Sequence, residues 1–186
     1  MLRFIIIAAA LLIGGLVPAA ATEAGWALLR EGGQVVLLVN ANAPGTTDPA
    51  NFDIDNCRTQ RNLSDRGRQQ ARRIGALFAA RAEPVEAVYS SRYCRALETA
   101  RLAFGERLVE PMDALDSTEH DAGGAEAAKA AVIATVRDYS GSGNLVLVTH
   151  AENVLALTGA RAREGEAIIV APREEGLSVI GRIVFN

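Results

Sequence analysis

The sequence predicts a three-layer α/β/α fold in which a mostly parallel sheet is covered by helices on both faces. Residues 34–39 and 145–149 form apolar runs, and residues 85–90 form a further predicted strand. Continuous apolar runs are typical of parallel strands that are buried on both faces. Helical patterns alternate with these strands, as in α/β proteins. The chain has 186 residues, which favours one domain.

The first half of the predicted domain contains a long loop and two helices. Residues 41–62 are rich in Pro, Gly, Thr, Asn and Asp, and loops longer than about 12–15 residues are usually functional. Ser64 is a favourable N-cap for the next helix, and Asp65 follows it near the positive helix end. A second helix is predicted over residues 92–104.

The second half is predicted to alternate in the same way and to end in a hairpin. A short strand over residues 107–110 precedes an acidic loop at 111–124. The later helices are predicted at 125–139 and 153–157. Two terminal strands, 166–171 and 177–185, flank a turn at residues 172–176, the pattern of a β-hairpin.

The first 21 residues have the pattern of a secretory signal peptide. Arg3 precedes an apolar run over residues 4–17, and small residues lead to a cleavage site after Ala21. The alternative is an uncleaved membrane anchor, for which this run is short. The prediction is a periplasmic or secreted protein without membrane contact after cleavage, with its single domain over residues 22–186.

The net charge and the cysteines indicate which partners the protein binds and in which compartment it works. The net charge is −3, so no global positive field attracts nucleic acid. An exported chain meets oxidising conditions, which predicts a disulfide between its two cysteines, Cys57 and Cys94. The alternative is two separate thiols.

Polar residues follow two of the apolar strands directly. Asn40 follows residues 34–39, and His150 follows residues 145–149. Because ligands of open α/β sheets bind beyond the carboxyl ends of the strands, both side chains are expected at one rim.

Two further segments carry specific motifs. Leu63-Ser64-Asp65-Arg66-Gly67-Arg68-Gln69-Gln70-Ala71 matches Leu-Thr/Ser-x-x-Gly-x-x-Gln-Ala, and residues 91–99 match Ser-x-x-x-Arg-x-x-x-Thr. Together with the two strand ends, these segments resemble the histidine phosphatase superfamily, the phosphoglycerate-mutase-like branch 1. Residues 57–64 resemble a periplasmic subgroup of it.

The resemblance implies a phosphate pocket. Arg95 corresponds to a phosphate-binding arginine, and His150 to the second pocket histidine, which stabilises the transferring phosphoryl group. Arg61 corresponds to a further cation near the pocket. Ser91 is expected either to form a hydrogen bond within the pocket or only to cap the helix. The alternatives are a solvated arginine and a structural histidine.

The strand end at residues 39 and 40 departs from the family. The family has Leu-Arg-His-Ala there, in which the Arg binds the phosphoryl group and the His attacks phosphorus. This chain has Val39 and Asn40. An amide nitrogen is conjugated with its carbonyl and does not act as a nucleophile. The expected consequence is a catalytically impaired member of the family.

The resemblance implies a general acid in the acidic loop at residues 111–124. Asp116 is the first candidate acid, with Asp113 and Glu119 beside it, although a solvated loop gives the same pattern. His120 is a candidate substitute nucleophile, or a metal ligand with Asp116, Glu119 and Asp121. The spacing matches no standard metal site, so no metal and no cofactor are predicted.

Three functions therefore compete. The first is a pseudophosphatase that binds a small anionic or phosphorylated ligand, or a protein partner, through Arg95, His150, Arg61, Ser91 and Asn40. The second is an active phosphomonoesterase with an altered mechanism that uses His150. The third is a structural or interaction protein without a ligand.

Overall fold

The computed structural model describes residues 17–82, 84–118 and 122–185. Five α-helices and one six-stranded sheet make up its regular structure, joined by several short 3-10 turns. The helices are α1 Val17–Glu31, α2 Asp65–Arg81, α3 Cys94–Phe104, α4 Ala125–Asp138 and α5 Ala151–Thr158. The strands are β1 Val35–Val39, β2 Val85–Ser90, β3 Val109–Pro111, β4 Asn144–Thr149, β5 Glu166–Pro172 and β6 Leu177–Val184.

The sheet has the order β3-β2-β4-β1-β5-β6. The first four strands in this order are parallel, and β5 and β6 are antiparallel to their neighbours. Val39 at the end of β1 lies opposite Thr149 at the end of β4. The carboxyl ends of these two central strands therefore meet, as predicted for Asn40 and His150.

Helices cover both faces of the sheet, which confirms the predicted three-layer fold. One core contains Trp26 from α1, Phe78 from α2 and Ala100 from α3, packed on the sheet. The opposite core contains Val132 from α4 and Val154 from α5. Strand β1 contributes alternately to the two cores, because successive side chains of a strand point to opposite faces.

The predicted helix starts and turns are largely confirmed. The Ser64 hydroxyl accepts a hydrogen bond from the Gly67 amide, as expected of an N-cap. Helix α3 begins at Cys94 rather than Arg92, and β3 runs over Val109–Pro111 rather than 107–110. Helix α5 starts before the predicted residue 153 and ends at Gly159, which has a left-handed conformation.

Helix α1 packs against the last strand. A Cβ atom on Gly25 would lie 2.8 Å from the Arg182 carbonyl oxygen, so the absence of a side chain permits this close approach. The predicted cleavage point after Ala21 falls within α1, whose buried Trp26 and Leu29 lie beyond it. Residues 1–16 of the predicted signal peptide lie outside the described residues. No helix in the described part of the chain is long and apolar enough to span a membrane.

Candidate functional site

A cleft of about 500 Å³ opens at the carboxyl ends of β1 and β4. The loop after β1, the loop before β5, the loop before α4, and helices α3 and α5 supply its walls. Its lining residues are Val39, Asn40, Thr46, Thr47, Arg61, Arg95, Thr118, His150, Ala151, Glu152 and Glu164. The predicted rim is thus a cavity that holds both Asn40 and His150.

Val39 and Asn40 line the cleft at the end of β1. Val39 is 1% exposed and belongs to the apolar core under α4 and α5. Asn40 is also buried, and its side-chain nitrogen donates a hydrogen bond to the Ala41 carbonyl at 3.0 Å. The backbone amide of Asn40 donates to the Thr149 carbonyl, which ties the end of β1 to the end of β4.

A serine contacts the imidazole of His150, and a carboxylate contacts that serine in turn. Its Nε2 atom lies 2.8 Å from the Ser91 hydroxyl, which donates to Asp116 Oδ1 at 3.0 Å. Arg92 fixes this carboxylate through its backbone amide and its guanidinium. Tyr93 packs edge-on against the imidazole at a centroid distance of 5.0 Å.

This chain of hydrogen bonds sets the tautomer of His150. A serine hydroxyl has one proton, and an ionised carboxylate only accepts hydrogen bonds. Because Ser91 gives its proton to Asp116, His150 Nε2 must carry the proton that it shares with Ser91. The lone pair of the neutral ring therefore lies on Nδ1. That atom is buried and has no hydrogen-bond partner within the described part of the chain.

The surroundings keep this imidazole neutral. Burial lowers the pKa of His150 well below its usual value, and the positive charges of Arg95 and Arg61 lower it further. Both effects disfavour the imidazolium ion. His150 therefore offers the cleft an acceptor rather than a positive charge at neutral pH.

Arg95 lies in the first turn of α3 and is 2% exposed. Its Nη1 atom donates to both oxygens of Asp48, at 3.0 and 3.3 Å, and the Asp48 side chain is fully buried. The guanidinium carbon also lies 4.7 Å from the centre of the Tyr93 ring. The arginine expected to bind phosphate is thus already paired with a carboxylate of the chain.

Arg61 makes a second arginine–carboxylate contact at the cleft edge. Its Nη2 atom lies 3.4 Å from Glu164 Oε1 and donates to the Ala43 carbonyl at 2.8 Å. The other oxygen of Glu164 accepts from the Asn42 side chain. The Arg61 Nε atom is buried without a hydrogen-bond partner among the described residues.

The predicted disulfide is confirmed, and it holds the long loop against α3. Cys57 and Cys94 are bonded, with their Cα atoms 5.7 Å apart. Beside them, Gln60 accepts a hydrogen bond from the Cys94 amide at 2.9 Å. Because Arg95 follows Cys94 and Asp48 lies in the same loop, the bridge supports the buried ion pair.

The structure separates the predicted site residues into two groups. Asn40, Arg61, Arg95 and His150 all line the cleft. Ser91 and Asp116 are absent from this lining. The Ser91 hydroxyl contacts the His150 imidazole and also accepts a hydrogen bond from the backbone amide of Tyr93, the N-cap residue of α3.

Asp116 instead lines a neighbouring pocket, together with Asp113. Glu119, His120 and Asp121 lie outside the described residues. Elsewhere, residues 17–82, 84–118 and 122–185 contain no cluster of three metal-ligating side chains.

Three carboxylates of the site were missed by the sequence analysis. Asp48 and Glu164 pair with the arginines, and Glu152 lines the cleft while accepting from Ser117 at 2.6 Å. Asp48 lies in the loop whose length suggested function, which was its one signal. Glu164 lies 122 positions from its partner Asn42, so nothing local revealed it.

Comparison with known proteins gives one family match and several likenesses of fold. The sequence profile of the histidine phosphatase superfamily (branch 1) matches residues 53–141. The match covers 89 of the 186 residues, just under half of the chain, and shows a similarity to this superfamily over that range. The matched range contains Arg61, Ser91, Arg95 and Asp116, but it ends before His150 and begins after Asn40. The match therefore says nothing about residues 39 and 40.

Solved structures show the same fold at low identity. The protein histidine phosphatase SixA complexed with tungstate gives a TM-score of 0.55 at 15% identity, covering 81% of this chain and 96% of that one. A phosphoserine phosphatase variant from Entamoeba histolytica in complex with phosphoserine gives 0.57 at 13%, with coverages of 82% and 98%.

A putative alpha-ribazole-5'-P phosphatase from Escherichia coli gives a TM-score of 0.57 at 15% identity, with coverages of 81% and 96%. The comparison with curated protein sequences found no match. These likenesses establish the histidine phosphatase fold of the chain.

Proposed function

We propose that this protein is a pseudophosphatase: it uses the histidine phosphatase fold to bind an anionic or phosphorylated ligand and forms no phosphohistidine. The ligand is a small molecule, or a protein partner that presents a phosphoryl or carboxyl group. The observation that carries the proposal is Asn40 at the end of β1, in the lining of the same cleft as Arg95 and His150.

The chemistry of residues 39 and 40 supports the loss of catalysis. Phosphoryl transfer relies on a positioned nucleophile and on fixed positive charge around the phosphoryl oxygens. Asn40 has no nitrogen lone pair for attack, and its Nδ2 atom donates to a carbonyl. Val39 supplies no charge. Loss of both functions is expected to cost many orders of magnitude in rate.

The two cleft arginines support anion binding. The hydrogen bonds to Asp48 use only Nη1 of Arg95, which leaves Nε and Nη2 outside that ion pair. Arg61 lines the same cleft with a buried Nε atom that has no hydrogen-bond partner among the described residues. Guanidinium groups suit phosphate and carboxylate because their donors are planar and fixed.

Two measurements test this proposal. The purified protein is assayed with p-nitrophenyl phosphate, and its binding of inorganic phosphate and vanadate is measured by calorimetry. The expected result is binding without turnover, weakened at least about tenfold by Arg61→Met. Arg101→Met is the control, because Arg101 pairs with Glu106 away from the cleft.

Turnover at rates typical of the family would contradict the loss of catalysis. Oxoanions that fail to bind, or that bind equally to Arg61→Met, would contradict the ligand role. Failure of both oxoanions to bind would favour a structural or interaction protein without a ligand.

One observation favours the second candidate, an active phosphomonoesterase with an altered mechanism. The Nδ1 lone pair of His150 is unpartnered in the described structure, so the ring retains an atom that attacks phosphorus or activates water. Its lowered pKa makes it a weak base, which ranks this candidate second. Weak hydrolysis that His150→Ala abolishes would establish it.

Export to the periplasm or out of the cell belongs to the same proposal. The bonded cysteines fit an oxidising compartment, and residues 1–21 have the signal-peptide pattern. Fusing residues 1–40 to a reporter enzyme that is active only after export tests it. A reporter that stays inactive would contradict export.

A further inference from the structure

We propose that the cleft selects oxoanions that carry a proton, such as hydrogen phosphate or the monoanion of a phosphomonoester, over fully deprotonated ones such as sulfate. The selecting atom is His150 Nδ1, which accepts the hydrogen bond of the P–OH group. This inference rests on the proposed ligand-binding function and names the chemical class that the same cleft prefers.

The first step is that Nδ1 must act as an acceptor. Nε2 shares its proton with Ser91, whose own proton is committed to Asp116. Asp116 is held in place by Arg92 through bonds of 2.7 Å to each oxygen. If Ser91 instead donated its proton to His150 Nε2, the Ser91 and Asp116 oxygens would lie 3.0 Å apart without a proton between them. The neutral ring therefore keeps its lone pair on Nδ1.

The second step is that nothing in the described structure satisfies this acceptor. His150 is 1% exposed, and its Nδ1 atom has no partner among residues 17–82, 84–118 and 122–185. A buried acceptor without a donor is costly, so a ligand that brings a donor is favoured. Sulfate at neutral pH has only acceptor oxygens. An oxygen lone pair of sulfate would therefore repel the lone pair of Nδ1.

The third step is that the imidazole stays neutral among the charges that surround it. Arg95 and Arg61 face it from α3 and from the long loop, and both disfavour a proton on the ring. The nearby carboxylates are engaged elsewhere: Asp48 with Arg95, Glu164 with Arg61, and Glu152 with Ser117.

Asp116 reaches the ring only through Ser91. No carboxylate therefore contacts Nδ1 in the described structure. The ring stays neutral at neutral pH, so the preference for protonated oxoanions is expected there as well.

The two cleft arginines recognise the deprotonated oxygens of the ligand, while His150 recognises its hydroxyl group. Arg61 and Arg95 line the same cleft and offer donors to the deprotonated oxygens. A ligand that satisfies both kinds of contact needs acceptor oxygens and one hydroxyl proton on the same group. Hydrogen phosphate meets this requirement, and a phosphomonoester meets it below its second pKa of about 6.

Calorimetry on the purified protein at pH 7 tests the inference with inorganic phosphate and sodium sulfate at equal ionic strength. Phosphate is expected to bind about tenfold or more tightly than sulfate. Ser91→Ala frees the ring to take the other tautomer, so it should bring the two affinities close together. Ser90→Ala is the control, because Ser90 is equally buried and its hydroxyl donates to the Ser91 carbonyl, without a contact to His150 or Asp116 among the described residues.

Equal affinities for phosphate and sulfate in the unaltered protein would overturn this inference and leave the proposed function intact. Binding of neither anion would overturn the proposed function itself. Nitrogen NMR of histidine-labelled protein gives a second measurement that needs no variant. The Nε2-protonated tautomer is expected at His150, with a shift of the Nδ1 resonance on adding phosphate, and an Nδ1-protonated ring would overturn the inference.

Discussion

At the scale of single residues, Arg95 serves both the fold and the cleft. Its guanidinium is buried against Asp48, whose carboxylate is fully buried. Removing one partner of a buried ion pair leaves an uncompensated charge, which costs more than the pair itself contributes. The same arginine faces the cleft, so any loss of ligand binding after its mutation must be separated from loss of stability.

A double-mutant cycle on this pair makes that separation. We expect Arg95→Ala to lower the free energy of unfolding by about 3–5 kcal/mol, because Asp48 is left buried and unpaired. Asp48→Ala/Arg95→Ala should lower it by less than the sum of the single changes. Urea unfolding followed by tryptophan fluorescence measures these values. Additive single effects would show that the two side chains do not interact.

His150 makes stability depend on pH. Its pKa in the folded protein is well below its usual value, mainly because the ring is buried. Between the folded pKa and the unfolded pKa of about 6.5, the unfolded chain binds a proton that the folded chain does not. The stability contributed by His150 is therefore present above pH 6.5 and is lost as pH falls.

The expected slope for this one group is about 1.4 kcal/mol per pH unit below pH 6.5. Urea unfolding of the protein and of His150→Gln at several pH values between 7.5 and 5 measures it. The variant should lose this part of the pH dependence. Identical pH dependence in both proteins would show that His150 takes up its proton equally in the folded and unfolded states.

At the scale of elements, the loop between β1 and α2 is the segment on which the cleft depends most. It carries Asp48 and Arg61, and it is fixed to α3 by the Cys57–Cys94 bridge and by Gln60. A loop without regular strands or long helices has little internal stability, so these cross-links determine where its charged residues lie.

Cys57→Ser/Cys94→Ser is expected to lower the free energy of unfolding by about 3–4 kcal/mol, because the unfolded chain regains the freedom of a loop that spans 37 positions. Reductant should destabilise the unaltered protein similarly and leave the double variant unchanged. Urea unfolding with and without reductant gives both values. If reductant also destabilised the double variant, the loss of stability would have a cause other than the Cys57–Cys94 disulfide.

The sequence predicted elements whose signals are local. Ser64 marks the start of α2 by its own hydrogen bond, and the apolar run of β1 reveals a buried strand. Helix α1 was not predicted, because its apolar residues adjoin a predicted signal peptide and its packing partner is the distant strand β6. Asp48 and Glu164 were also missed, because their roles depend on arginines brought near only by folding.

At the scale of the whole molecule, the cleft combines basic and acidic side chains in equal number among its described lining residues. Arg61 and Arg95 are its two cationic lining residues in the described structure, and Glu152 and Glu164 are the two acidic ones. Asp48 adds a further negative charge behind Arg95. A family member with Arg and His at residues 39 and 40 would have one more positive charge at this point. The present cleft therefore depends on hydrogen-bond geometry more than on net charge.

Restoring the family residues tests whether the rest of the scaffold is still competent. In Val39→Arg/Asn40→His, the new histidine would follow β1 beside Arg95 and His150, where an imidazole can attack a bound phosphoryl group. We expect hydrolysis of p-nitrophenyl phosphate to rise at least about a hundredfold above the unaltered protein. Some stability should be lost, because position 39 is buried in an apolar core.

The controls for this variant separate chemistry from folding. Asn40→His alone should gain less activity than the pair, since it lacks the arginine that binds the phosphoryl oxygens. Adding His150→Ala to the restored pair should reduce the gain, because the cleft then loses a second contact to the phosphoryl group. Thermal unfolding confirms that each variant is folded. A folded double variant with no gain would show that Asp48, Glu164 or the cleft shape, and not residues 39 and 40 alone, prevents catalysis.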